Sequence, residues 1–120
     1  MKISSHKELE AYKKSYKLAI MIYQLTRRFS KEEIYGITSQ MRRAAVSIPS
    51  NIAEGYMRGS NEYIQFLKIA LGSSAELDTQ ISLCADISLC SKEDTVQVAS
   101  LNEEVIKLLK TYITKLSLNR

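Results

Sequence analysis

The sequence predicts an all-α protein: a single antiparallel up-down-up-down four-helix bundle domain that covers residues 1–120. The chain has 120 residues with only four glycines and one proline, which is little turn material for a fold of many strands. Four long segments repeat apolar residues at steps of three and four, the spacing of one face of an α-helix. Because the connections between these segments are short, sequence neighbours should lie side by side and run in opposite directions.

The first predicted helix covers about residues 6–29. One face of this helix is rich in lysine, and the other carries an apolar stripe that we expect to be buried. That stripe consists of Leu9, Tyr12, Tyr16, Ala19, Ile20 and Tyr23. We therefore interpret the tyrosines as core or interface residues and not as platforms for nucleobases.

The second predicted helix begins at Thr38, ends at about Met57 and contains the only proline, Pro49, which predicts a kink. Its main apolar stripe consists of Ile37, Met41, Ala44, Ala45, Ile48, Ile52 and Tyr56. Other apolar or small residues lie on a second side, and such a helix needs cover on more than one side. We therefore predict a subunit interface at Val46, Pro49, Ser50, Ala53 and Met57.

The third helix is predicted over about residues 61–89 and the fourth over about 92–117. The third has a core stripe of Leu67, Ala70, Ser74, Leu77, Ile81, Cys84 and Ser88. Its small residues 72–75 predict a close helix crossing. The fourth has a broad apolar face of Val98, Leu101, Val105, Ile106, Leu108, Leu109, Tyr112, Ile113 and Leu116.

The charge is uneven along the chain, although the net charge is only +4. Residues 1–60 carry eleven Lys and Arg against five Asp and Glu, whereas residues 61–120 carry six against eight. The residues that we predict to contact nucleic-acid phosphates are Lys13, Lys14, Lys17, Arg42, Arg43 and Arg58. The alternative is that these groups pair with carboxylates of the same helix or of another subunit; the sequence favours neither interpretation.

Support for catalysis is poor. The only histidine is His6, so neither a multi-histidine metal site nor a histidine-based triad is expected. Cys84 and Cys90 lack the spacing of a zinc or redox motif, and we predict free thiols. No apolar run is long enough to cross a membrane. We expect a cytoplasmic protein that is not an enzyme and uses no metal or cofactor.

The stretch YGITSQMRRAAVSIPSNIAEGY at residues 35–56 resembles a known family, as do residues 66–73 and 75–80. It is similar to the bacterial four-helix-bundle proteins encoded in intervening sequences of 23S ribosomal RNA genes, and the resemblance spans about residues 8–85. Departures include Tyr12 in place of tryptophan, Ser30 in place of proline and a tight spacing from Ser60 to Tyr63.

The resemblance implies a homopentamer with no known enzymatic activity. A related branch, the accessory variability determinant of diversity-generating retroelements, binds nucleic acid and a reverse transcriptase. We therefore predict a homo-oligomeric adaptor that binds RNA, DNA or a nucleoprotein, such as one containing a reverse transcriptase. The alternative is a protein-binding scaffold with no affinity for nucleic acid.

Overall fold

The structure, a computed structural model, describes residues 6–118 and, within them, the side chains of residues 10–118 except Ser60. It contains four long helices: α1 (His6–Thr26), α2 (Ser39–Arg58), α3 (Ser60–Asp86) and α4 (Lys92–Leu118). A 3₁₀ turn at Lys31–Glu33 and a π turn at Ile34–Thr38 connect α1 to α2. No strand occurs within residues 6–118. The predicted all-α four-helix fold is confirmed.

Each helix packs mainly against two others, α1 and α3 each lying between α2 and α4. Arg28 near the end of α1 forms an ion pair of 3.2 Å with Asp94 near the start of α4. Lys14, earlier in α1, pairs at 3.3 Å with Glu104, later in α4. The predicted antiparallel order accounts for these pairings. Pro49 is buried within α2, and the kink there stays a prediction.

The prediction for the core side of α1 is wrong. The residues that face the core are Ala11, Ser15, Leu18, Ile22 and Leu25. Tyr16, Ile20 and Tyr23 are instead 55%, 49% and 38% exposed, and Leu9 lies outside the described side chains. Both stripes have the three-and-four spacing of a helix face. The buried stripe includes small residues such as Ala11 and Ser15, whereas hydropathy favours the stripe with the larger side chains for burial.

The main stripe of α2 is confirmed as part of the core. Its buried members are Met41, Ala44, Ala45, Ile48 and Ile52, with Ile37 and Tyr56 partly buried. The second side remains open in the single chain, since Val46 is 42% exposed and Met57 is 80% exposed. Of the residues predicted for this second side, only Pro49 is buried by the bundle.

The helices α2 and α3 pack closely at Gly55. A Cβ atom added to Gly55 would lie 2.6 Å from the Cβ of Phe66 and 3.0 Å from the Cδ1 of Tyr63. The predicted crossing at residues 72–75 holds only in part. Gly72 is exposed and its added Cβ would meet nothing, whereas the hydroxyl of Ser73 shares a hydrogen bond of 2.8 Å with that of Ser47.

The α3 and α4 faces agree with the prediction except at Ser88. From Leu67 to Cys84 the α3 stripe is buried. Ser88 is exposed, because α3 ends at Asp86 and Ser88 has a left-handed φ of 61° in the turn that follows. Asn102 is fully buried between α3 and α4, and its Nδ2 donates a hydrogen bond of 2.9 Å to the carbonyl of Ser74. No sequence pattern predicts this burial.

Candidate interaction surface on the first two helices

An apolar groove runs along the outer surface between α1 and α2. Its volume is about 580 Å³. We call it the long groove, and it is lined by Tyr12, Tyr16, Ala19, Ile20, Tyr23, Gln24, Arg27, Val46, Pro49, Ser50 and Ala53. The tyrosines of the lining all come from α1, whereas α2 contributes only valine, proline, serine and alanine.

Four of the five residues predicted to form a subunit interface line the long groove; Met57 is the fifth and lies one turn of α2 beyond Ala53. The sequence left Tyr16 and Tyr23 as core or interface residues, and the structure places both, together with Ile20, on this surface. Contiguous exposed apolar surface of this kind marks sites of interaction on soluble proteins. The long groove is therefore suited to an apolar partner.

A second groove begins where the long groove ends, beside the turn that connects α1 to α2. We call it the turn groove; its volume is about 670 Å³. It is lined by Tyr23, Ile34, Tyr35, Thr38, Ser39, Arg42, Arg43, Val46 and Ser47. Tyr23 and Val46 line both grooves, so the two form one continuous surface. Within it, Tyr35 is 97% exposed.

Arg42 is held in place by α1. Its Nε donates a hydrogen bond of 2.9 Å to the hydroxyl of Thr26, which in turn donates one of 2.8 Å to the carbonyl of Ile22. The guanidinium carbon lies 4.6 Å from the centroid of the Tyr23 ring. A hydrogen bond and a cation–π contact thus fix the guanidinium at the edge of the turn groove.

The other predicted cationic residues have different surroundings. Arg43 is exposed and donates to the Oε1 of Gln40 at 3.1 Å. Lys14 lies 4.0 Å from a carboxylate oxygen of Glu10, in addition to its pair with Glu104. Lys13 and Lys17 are exposed, and neither forms an ion pair among the described side chains.

Arg58 is the most strongly paired of the predicted phosphate contacts. It forms ion pairs of 3.2 Å with Glu62 and 3.0 Å with Glu54. Hydrogen bonds to the carboxylates of Glu62 and Glu54 raise the pKa of Arg58. Its guanidinium carbon also lies 5.1 Å from the Phe66 ring centroid. A phosphate would have to compete with both carboxylates.

The cationic residues do not form one cluster. Arg42 contacts Thr26, which is thirteen residues along α1 from Lys13, or about 20 Å at the rise of an α-helix. Arg42 and Arg43 line the turn groove together, whereas Lys13 and Lys17 lie far along α1. Of the predicted phosphate contacts, the structure brings only the two arginines to one groove.

Both cysteines are free thiols. Burial raises the pKa of the Cys84 thiol to about 11, and burial also raises the pKa of Cys90. Within the described part of the chain, no group of three or more His, Cys, Asp and Glu residues is arranged to hold a metal ion. The same residues include no helix that is long and apolar enough to span a membrane.

Comparisons with known proteins agree with this architecture. The profile of the 23S rRNA-intervening sequence protein family matches residues 7–111. A search of curated proteins finds no match. A crystal structure at 1.70 Å of a protein of unknown function, from the S23 ribosomal protein family of Bacteroides thetaiotaomicron VPI-5482, matches with a TM-score of 0.83. The two sequences are 24% identical, and the match covers 90% of this chain and 98% of that chain.

Proposed function

Because this chain belongs to the 23S rRNA-intervening sequence protein family, we propose that it is a non-catalytic adaptor that assembles with copies of itself and associates with nucleic acid or a ribonucleoprotein. The observation that carries the proposal is the continuous surface formed by the two grooves. One part of this surface is apolar and suits a second subunit. The adjoining part carries two arginines and suits an anionic partner.

The long groove supports self-association. Exposed aromatic and aliphatic side chains of α1 lie beside small side chains of α2, among them Ser50 and Ala53. Small residues let another helix approach closely, and a partner helix would remove Tyr16 and Ile20 from water. Such burial contributes roughly 25 cal/mol per Å² of apolar surface. The proposed number of five subunits rests on the family resemblance of the sequence.

The arginines of the turn groove support association with an anion. Each subunit of a ring would present Arg42 and Arg43 at the edge of its interface, so several weak phosphate contacts would act together. Phosphate neutralisation by arginine is independent of sequence and sensitive to salt. The proposed partner is therefore RNA or DNA, free or within a nucleoprotein such as one containing a reverse transcriptase.

Self-association is tested by light scattering during size-exclusion chromatography. We expect the wild-type protein to elute as an assembly of several subunits, and Ala53→Glu to dissociate it because a buried unpaired charge costs several kcal/mol. Ala75→Glu is the matched control, since Ala75 is an exposed alanine on α3. A wild-type monomer at micromolar concentration would contradict this part of the proposal.

Nucleic-acid association is tested by fluorescence anisotropy of labelled oligonucleotides over a series of salt concentrations. Each phosphate that the protein neutralises should add about −0.9 to the slope of log K against log salt for duplex DNA, or about −0.7 for single strands. Arg43→Glu should weaken binding and flatten the slope, whereas Lys110→Glu, on α4, should do neither. Failure to bind either RNA or DNA at low salt would exclude this function.

The protein-binding scaffold remains the second candidate, and one observation favours it. Lys14 and Arg58, two of the predicted phosphate contacts, are already paired with carboxylates of the same chain. In a scaffold the long groove would still join subunits, and the arginines would serve protein contacts. The salt-dependence experiment separates the two candidates.

A further inference from the structure

We propose that the turn groove binds single-stranded nucleic acid, with an unpaired base stacked on Tyr35 and an adjacent phosphate held by Arg42 and Arg43. This inference rests on the proposed association with nucleic acid and specifies the form of nucleic acid and the residues that select it. Three features of the turn groove support it: an exposed aromatic ring, a fixed guanidinium, and a lining without acidic residues.

The first feature is Tyr35, whose side chain is 97% exposed and contributes nothing to the core. It is placed at the surface by the π turn, where the φ and ψ of Gly36 are −113° and −116° and interrupt the helical backbone. Ile34 beside it is also exposed, at 47%. Aromatic side chains on such platforms stack with nucleobases regardless of sequence.

A stacked aromatic selects for single strands. In a duplex both faces of each internal base are already covered by neighbouring bases, and the grooves of an RNA duplex offer mainly sugar hydroxyls and phosphates. Unpaired bases in loops, bulges and ends have an open face. The exposed ring of Tyr35 can therefore stack on an unpaired base but not on the internal bases of a regular duplex.

The second feature is the fixed position of Arg42. The hydrogen bond to Thr26 uses its Nε, and the Tyr23 ring covers one face of the guanidinium. The two terminal amino groups remain as donors, and no carboxylate of the described residues forms an ion pair with Arg42. A planar guanidinium held in this way matches two phosphate oxygens and loses little conformational entropy on binding.

The third feature is the chemistry of the lining. The turn groove is lined by both arginines and by hydroxyl residues, and none of its lining residues is acidic. Thr38 also lines it, and the buried hydroxyl of Thr38 has no hydrogen-bond partner among the described residues. Cations, hydroxyls and the exposed ring of Tyr35 match the phosphate, sugar and base of a nucleotide better than they match an apolar peptide.

The test compares a labelled single-stranded RNA with a duplex of the same length by fluorescence anisotropy on the full-length protein. We expect tighter binding of the single strand. Tyr35→Ala should weaken that binding roughly 5- to 150-fold, the effect of losing one base–aromatic stack, without changing the salt slope. Tyr35→Phe, which keeps the ring, should bind as the wild type does.

Arg43→Gln, unlike Tyr35→Ala, should change the salt dependence of binding. The slope of log K against log salt should become shallower by about 0.7, for the one lost phosphate contact. Lys110→Gln on α4 is its control and should leave the slope unchanged. Equal affinity for both forms of RNA, with no effect of Tyr35→Ala, would overturn this inference and leave the proposed adaptor intact. If neither form binds, the proposed function itself fails. A changed subunit number in Tyr35→Ala would assign Tyr35 to the subunit interface and also overturn the inference.

Discussion

Alanine substitutions at Gly55 and Gly72 should differ in their effect on stability. Both glycines lie inside helices, and alanine is favoured over glycine there by about 1 kcal/mol. At Gly72 the new methyl group meets nothing within 4 Å, so Gly72→Ala should raise the free energy of unfolding by about that amount. At Gly55 the same methyl group would lie 2.6 Å from the Cβ of Phe66.

The steric cost of Gly55→Ala arises because the new methyl group would meet the Cβ atom of Phe66. A Cβ atom is attached directly to the backbone, so relief requires α2 and α3 to separate and not a change of rotamer. Overpacking of this kind costs about 1–3 kcal/mol. Because the helical preference is common to both sites, the difference in stability between the two variants measures the steric cost alone. Gly55→Ala should therefore be about 1–3 kcal/mol less stable than Gly72→Ala.

Urea unfolding followed by circular dichroism provides the comparison, with linear extrapolation to water. Protein concentration must be equal in all samples, because association of folded chains raises apparent stability. Equal dependence on urea in the two variants would show that the native and unfolded states keep their compactness. If Gly55→Ala is as stable as Gly72→Ala, the close packing of α2 on α3 described above is incorrect.

Two further predictions concern buried groups. Asn102→Leu should leave the free energy of unfolding unchanged or raise it. The Oδ1 of Asn102 has no partner among the described residues, and removing this unsatisfied polar atom offsets the lost hydrogen bond to Ser74. A large loss of stability in urea unfolding would contradict this. Stability should fall from about pH 9 to about pH 11, because the pKa of Cys84 rises from 9.0 to about 11 on folding and the unfolded state loses its proton first. Cys84→Ala should show a shallower decline in urea titrations over that range, and an equal decline would contradict the assignment.

The sequence predicts the core faces of α2, α3 and α4 because in these helices the apolar residues are concentrated on the side that packs. It fails for α1, where two stripes compete. The buried stripe includes Ala11 and Ser15, and the exposed one contains Tyr16 and Ile20. Hydropathy favours the larger residues for the core, but it does not distinguish burial within a bundle from burial against another subunit.

The candidate surface is predictable in part. The second side of α2 follows from its pattern of small and apolar residues, and four of the residues assigned to it line one groove. The role of Thr26 in fixing Arg42 depends on a contact between two helices, and the two residues are sixteen positions apart in the chain, so no local pattern shows it. The exposure of Tyr35 depends on the π turn, and its position beside Gly36 is the only sequence signal for it.

The most direct test of the adaptor is the mass of the wild-type protein mixed with single-stranded RNA at low salt. Light scattering and absorbance at two wavelengths during size-exclusion chromatography report the number of subunits and the RNA content of one peak. We expect a peak that contains several subunits, five by family resemblance, together with RNA. A monomer that elutes apart from the RNA would contradict both the proposed assembly and the proposed partner.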